Sequence, residues 1–206
     1  MSPKIEQYIS EAIKSFDTIS EERKNVLKKI SAYVQQKVHE KQTAELIYIC
    51  THNSRRSHFG QIWAKVAATY YGFDNVETYS GGTEATAFNP NAIKAIETIG
   101  FNVTNEDGKP NAIYSVQFGD SKTVIKCFSK KYDDKANPKQ GFCAVMTCTE
   151  ADGACPYIEG AAVRISTPYN DPKAFDGTTQ QDAMYLERSK QIATECLYVF
   201  SQIKKS

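Results

Sequence analysis

A chain of 206 residues is of single-domain size, long enough to bury about 70% of the surface its unfolded form exposes. Its 25 basic and 24 acidic residues leave a net charge of +1, so no global field favours nucleic acid or an anionic membrane, and any anion site must be local. No stretch approaches the roughly 18 to 20 apolar residues of a membrane span, and residues 1–17 lack an apolar secretory core, so the chain reads as cytoplasmic. Its six cysteines, at 50, 127, 143, 148, 155 and 196, are spread through a chain too long to need a disulfide scaffold, and reduced thiols are expected.

At the start, Ile5, Tyr8, Ile9, Ala12, Ile13 and Phe16 recur at helical spacing behind Ser2 and Pro3, predicting an amphipathic helix. A second helix is expected after Thr18, paired with Glu21 in a capping box, with Val26, Leu27, Ile30, Tyr33, Val34 and Val38 on one stripe. Residues 1–44 therefore read as an N-terminal helical hairpin, and 45–206 as the main domain. From Leu46 the period changes to a short apolar strand, followed by a helix over about 54–70 that ends at Gly72. A strand over 76–80, a turn at the glycine pair 81–82 and a helix over 89–99 closed by Gly100 complete a βαβα unit.

Residues 112–118 and 122–128 alternate around Gly119-Asp120, predicting a hairpin. The runs 140–148 and 161–165 suit buried strands, and the last helix spans about 179–203. The polar run 133–139, with Pro138, reads as a flexible excursion. Alternating strands and helices imply an α/β fold, a parallel sheet with helices on both faces, in which ligands sit beyond the carboxyl ends of the strands. Cys50 lies where the first core strand ends.

Residues 49–57 read ICTHNSRRS, a C-x5-R-S pattern leading from that strand into a helix. A turn this tight through Thr51, His52, Asn53, Ser54 and Arg55 directs backbone N–H groups inward, and the helix behind adds its positive end, which suits a tetrahedral oxyanion. The same field would lower the Cys50 thiol pKa and make a thiolate nucleophile. Arg56 supplies a planar fork for two anion oxygens, Ser57 a hydroxyl for the sulfur, and Asn53 a brace for the loop. Arg55 reads as a surface charge, or as added anion attraction if it faces the mouth.

CTHNSRRS resembles the signature loop of the low-molecular-weight protein tyrosine phosphatase superfamily, which includes arsenate reductases that use thioredoxin. The resemblance covers about residues 45–204 and leaves the hairpin outside. It implies a flavodoxin-like four-stranded parallel sheet flanked by helices, the phosphotyrosine phosphatase I-like fold. It also implies a general acid in an Asp-Pro pair ahead of the last helix, and STPYNDPKAFDG supplies Asp171-Pro172.

VMTCTEADGACP, residues 145–156, resembles the redox pair of the thioredoxin-coupled reductases, with Cys148 at a strand end and Cys155 followed by proline. On that resemblance the catalytic set is Cys50, Arg56, Asp171, Cys148 and Cys155, the substrate is a small oxyanion, and thioredoxin is the electron donor and partner, with no bound cofactor or metal. Zinc at Cys143, Cys148 and Cys155 fits no usual ligand spacing. Inert burial is the competing reading for Cys148 and Cys155, and packing is the expectation for Cys127, Cys143 and Cys196.

His52 stands where the family often has glycine. Gln61 replaces an acidic residue through which some reductases hold potassium, so that ion is not expected. A phosphatase acting on phosphotyrosine or another monoester is the alternative function. A third is a non-catalytic module whose hairpin binds a partner. Apolar hairpin residues left exposed would favour that module, whereas packing onto the core, or onto a twin subunit in a homodimer, would count against it.

Overall fold

The computed structural model describes residues 1–205 apart from 106–107, 109–110, 120–122 and 155–156. Ser2 precedes helix α1 (Pro3–Lys14), which starts on proline, where a missing N–H costs nothing. Helix α2 (Glu21–His39) is capped by Ser20, whose hydroxyl accepts from the Arg23 amide, and not by Thr18, which falls in a short 3₁₀ turn (Phe16–Thr18). Of two nearby hydroxyl residues, the one next to the helix makes the cap.

Strand β1 (Ala44–Cys50) leads to α3 (Arg56–Tyr71), which Gly72 ends at φ 74°. Then follow β2 (Val76–Gly82), α4 (Pro90–Ile99), and three short strands, β3 (Asn102–Asn105), β4 (Tyr114–Gln117) and β5 (Ile125–Cys127). Strand β6 (Phe142–Met146), α5 (Thr149–Ala154), β7 (Ala161–Ser166) and α6 (Gln181–Ser201) complete the chain. The main sheet is parallel with strand order β2-β1-β6-β7, the four-stranded flavodoxin-like arrangement expected.

Side chains of β1 alternate between two cores, as a strand's period of two requires. Leu46 and Tyr48 join the larger core with α3, α6 and the hairpin, while Ile47 and Ile49 pack with Phe142, Met146 and Ile158 on the other face. Helix α6 lies against α1, α2, α3 and α4, which accounts for its long buried stretch from Ile192 to Phe200.

The hairpin's stripe is spent inside the molecule: Ile5, Ile9, Ala12, Leu27, Ile30 and Val34 are all buried. The Ser31 hydroxyl donates to the Val199 carbonyl at 2.8 Å, and the Tyr33 hydroxyl to that of Gly141 at 2.8 Å, so the middle of α2 is tied both to α6 and to the segment leading into β6. This packing counts against the partner-binding module, which needed that stripe exposed.

Three further expectations are corrected. The glycine pair at 81–82 is no turn but the end of β2, paired in register with Ile49 and Cys50. The predicted hairpin is part of a three-stranded antiparallel sheet, β3-β4-β5, whose first strand, NVTN, is too short and polar to announce itself; Asp120 of its expected turn lies outside the described residues. The run 133–139 is tied down, because the buried Asn137 side chain donates to the carbonyls of Ser80 at 3.1 Å and Tyr132 at 3.0 Å.

Candidate active site

β1, β6 and β7 end side by side. The Thr147 amide donates to the Ile49 carbonyl at 2.7 Å, and the Tyr169 amide to that of Thr147 at 3.1 Å. This register brings Cys50, Cys148 and Asp171 to one edge of the sheet, beyond the carboxyl ends of its strands.

The loop after Cys50 is held from outside by its carbonyls. Cys50 accepts from the Thr83 amide (3.2 Å), Thr51 from the Glu84 amide (2.8 Å), His52 from the Ser129 hydroxyl (3.0 Å) and Ser54 from the Asn89 amide (3.0 Å). Among the described residues, no amide from Thr51 to Ser57 donates to another protein group. A loop with these four carbonyls turned outward and its amides left free has the form of an anion cradle. Gly82 permits the wrap, since a Cβ there would lie 2.7 Å from the Asn53 amide nitrogen and the Thr51 carbonyl oxygen.

Asn53 turns the chain at φ 45°, a left-handed conformation that asparagine tolerates better than most residues. Its buried carboxamide accepts from the Lys130 amide at 2.9 Å and donates to the Ser57 hydroxyl at 2.9 Å. The Ser57 oxygen thus receives one hydrogen bond and keeps its own proton for the Cys50 sulfur, 3.1 Å away. The brace expected of Asn53 and the hydroxyl expected of Ser57 are both in place.

Arg56 is buried with its fork turned toward the loop at residues 169–171. Nη1 donates to the Tyr169 carbonyl at 2.8 Å and Nη2 to Asp171 Oδ2 at 2.6 Å, while Nε is buried and has no protein partner among the described residues. An unpaired guanidinium N–H away from water is costly, and an oxyanion in the cradle would satisfy it. Asp171 caps a 3₁₀ turn (Pro172–Phe175), accepting from the Lys173 amide at 3.0 Å, and leaves about a third of its side chain exposed at the mouth.

Cys148 is fully buried, its sulfur 3.5 Å from the hydroxyl of Thr51, the residue after Cys50. Burial raises its thiol pKa above the ordinary value, the Thr51 hydroxyl opposes that rise, and Arg56 and Cys50 are near enough for their charges to act on it. Helix α5 follows at once, held by Asp152, which accepts from Arg164 at 2.5 Å and from the Ser166 hydroxyl at 2.8 Å. Cys155 and Pro156 lie outside the described residues. Cys127, Cys143 and Cys196 are buried in the larger core, where desolvation raises all three thiols.

The Arg55 side chain is not a free surface charge. Its side chain is 11% exposed, donates from Nε to the Tyr185 hydroxyl at 2.7 Å and pairs with Asp176 at 3.3 Å, tying the cradle to the segment after Asp171. His52 lies at the rim, 3.6 Å from Glu84. Gln61 donates from its amide to the carbonyls of Thr78 at 3.3 Å and Lys126 at 3.1 Å. No cluster of three or more metal-ligating side chains occurs among the described residues, and no described helix is long and apolar enough to cross a membrane.

Fold and loop together define the class: an α/β protein with an oxyanion cradle around a thiol at the end of a parallel sheet. No protein-family model matches the chain. The arsenate reductase of Halalkalibacterium halodurans is 26% identical over 160 residues, 78% of this chain and 96% of its own length. That of Bacillus cereus (strain AH187) is 29% identical over 127 residues, 62% of this chain and 75% of its own. Among solved structures, a YwlE mutant from Bacillus subtilis superposes with a TM-score of 0.52 at 13% identity, over 78% of this chain and 98% of that one. An arsenate reductase in a phosphate-binding state gives 0.50 at 14% identity, over 79% and 100%. The structural likenesses show the fold, and the sequence relatives carry the family name. The chain is thus similar in sequence to arsenate reductases and shares its fold with solved structures of low-molecular-weight phosphatases and an arsenate reductase.

Proposed function

We propose that this protein reduces arsenate to arsenite with electrons from thioredoxin. The observation that carries the reading is the position of Cys148, buried against Thr51 of the cradle, because hydrolysis of a phosphomonoester needs no second thiol there.

Arsenate is held by the free amides of residues 51–57 and by Arg56. The Cys50 thiolate attacks arsenic, the As–OH bond breaks, and Asp171 protonates the departing hydroxide to water. The Cys148 thiolate then attacks the Cys50 sulfur. The S–As electron pair passes to arsenic, which leaves as arsenite, and a Cys50–Cys148 disulfide remains. Cys155 attacks Cys148 in its turn, releasing Cys50 as thiolate, and the thioredoxin dithiol reduces the Cys148–Cys155 bond. Two electrons enter and two reach arsenic. The sequence separation of Cys148 and Cys155 requires α5 to unwind, and a helix of one and a half turns has little cooperative stability to lose.

A coupled assay with arsenate, thioredoxin, thioredoxin reductase and NADPH tests this reading: NADPH consumption above a Cys50→Ser control supports it, and none overturns it. Phosphomonoester hydrolysis is the second reading, favoured by Asp171 standing within hydrogen-bond reach of Arg56, and it predicts full p-nitrophenyl phosphate turnover by Cys148→Ser.

A further inference from the structure

We infer that Arg23, on the N-terminal hairpin, is a positioning residue for Arg56: through Glu195 and Tyr169 it fixes the backbone carbonyl on which the Arg56 guanidinium rests. The contacts run without a gap from one arginine to the other. Arg23 Nε meets both oxygens of Glu195 at 3.1 Å, and its Nη2 meets Oε2 at 2.9 Å. Glu195 Oε2 accepts from the Tyr169 hydroxyl at 2.6 Å. The Tyr169 carbonyl in turn accepts from Arg56 Nη1 at 2.8 Å.

Arg23 also touches this segment directly. Its guanidinium carbon lies 4.9 Å from the centre of the Tyr169 ring, a cation–π distance, and Nη2 reaches the Pro168 carbonyl at 3.5 Å. Tyr169 is thereby held at its ring by Arg23, at its hydroxyl by Glu195 and at its amide by Thr147. Burial and the neighbouring Glu195 carboxylate keep its phenol protonated, so it stays a donor. Asp171 follows two residues later, so both groups that Arg56 grips hang on one clamped segment.

Stability alone does not explain why ions are used here. Glu195 is buried and most of Arg23 is covered, and an apolar pair of equal volume often stabilises a fold as well as a buried ion pair does. What the ions add is direction: a planar fork fixes a carboxylate in one orientation, and the carboxylate fixes the phenol. Positional errors near 1 Å in a catalytic group cost on the order of 100-fold in rate, so a strut of this kind bears on activity. Arg23 lies in residues 1–44, outside the span that resembles the superfamily, so the hairpin becomes part of the active-site scaffold.

The test uses the full chain with Arg23→Met/Glu195→Gln, which removes both charges and leaves Tyr169 an acceptor. Two readouts are taken at a temperature where the variant is folded: the Arg56 side-chain N–H resonances, and their response to titrated inorganic phosphate. In the parent protein the held guanidinium gives separate Nη signals. The variant should merge them and weaken the phosphate response about tenfold, with Arg23→Lys restoring part of both. Unchanged Arg56 signals together with an unchanged phosphate response, despite a lower melting temperature, would overturn the inference. If the double variant does not fold, Tyr169→Phe removes only the hydroxyl link, and the same signals decide. If the parent itself ignores phosphate, the proposed function fails while the Arg56 resonances still settle this point.

Discussion

The Asp171 carboxylate lies 2.6 Å from Arg56 Nη2, so the proposed acid and the proposed anion-binding fork are paired before any substrate arrives. An incoming oxyanion has to share or displace that contact, and the carboxylate's negative charge opposes it. Asp171→Asn is therefore expected to lower turnover by about 10²- to 10⁴-fold through loss of the proton donor. It should also tighten phosphate or arsenate binding several-fold, by removing a like charge from the mouth. Steady-state kinetics with phosphate as competitive inhibitor measure both effects, and weaker inhibition in the variant would contradict this description of the pair.

The second thiol sets a pH dependence. Burial holds the Cys148 pKa above the ordinary cysteine value of about 8.5, and only the thiolate attacks. The thiolate fraction consequently rises about tenfold per pH unit from neutrality through the ordinary range and levels off only beyond it. Single-turnover arsenite release is expected to follow that rise, while binding of the anion does not. Thr51→Val should move the profile to higher pH and lower the rate near neutrality, because it removes the hydroxyl that favours the thiolate.

Asn53 carries both the left-handed turn and the brace between Lys130 and Ser57. Asn53→Ala should cost about 2 to 4 kcal/mol in urea unfolding, combining strain at positive φ with two lost buried hydrogen bonds. Asn53→Gly should recover the strain component alone, about 1 to 2 kcal/mol. Both variants should be slow, since neither orients the Ser57 proton toward Cys50.

His58 is buried against Phe88, with its Nδ1 3.3 Å from the Ser80 hydroxyl, and burial lowers its pKa to about 3, with Lys130 adding to the effect. The folded value lies below the unfolded one, so stability from this residue is present above about pH 6.5 and is lost as pH falls from there toward 3. Over that window the loss approaches about 1.4 kcal/mol per pH unit. Unfolding free energies of the parent and His58→Gln, compared from pH 7 to pH 4, should converge as the pH drops.

How much of this was legible follows from where the information resides. C-x5-R-S is local: five intervening residues and a following helix determine the cradle, and the spacing of Cys50, Arg56 and Ser57 survives into the structure unchanged. Gly81 and Gly82 read as a turn because glycine usually marks one, yet Gly82 is needed for the close approach of Asn53 and Thr51 from another element. Arg55 resembled a surface charge because nothing near it in the chain announces Asp176 or Tyr185.

Long-range partners were harder still. The contact of Cys148 with Thr51 depends on β1 and β6 pairing in the register that sets Leu46 opposite Cys143. Ser129 and Lys130 brace the cradle only because the antiparallel sheet returns the chain there, and no residue type signals it. Tyr169, Arg23 and Glu195 meet across 172 positions of sequence, as an ordinary aromatic and two ordinary charges.

The central claim is that electrons reach arsenic through Cys148, and its most direct test is a map of which sulfurs join. The reduced protein is exposed to about one equivalent of arsenate without thioredoxin, quenched in acid, alkylated and digested, and its disulfides are identified by mass spectrometry. The account predicts Cys148 bonded to Cys50 at early times and to Cys155 later, with Cys155→Ser arrested at the first pair. Arsenite release with Cys148 still fully alkylatable would contradict it.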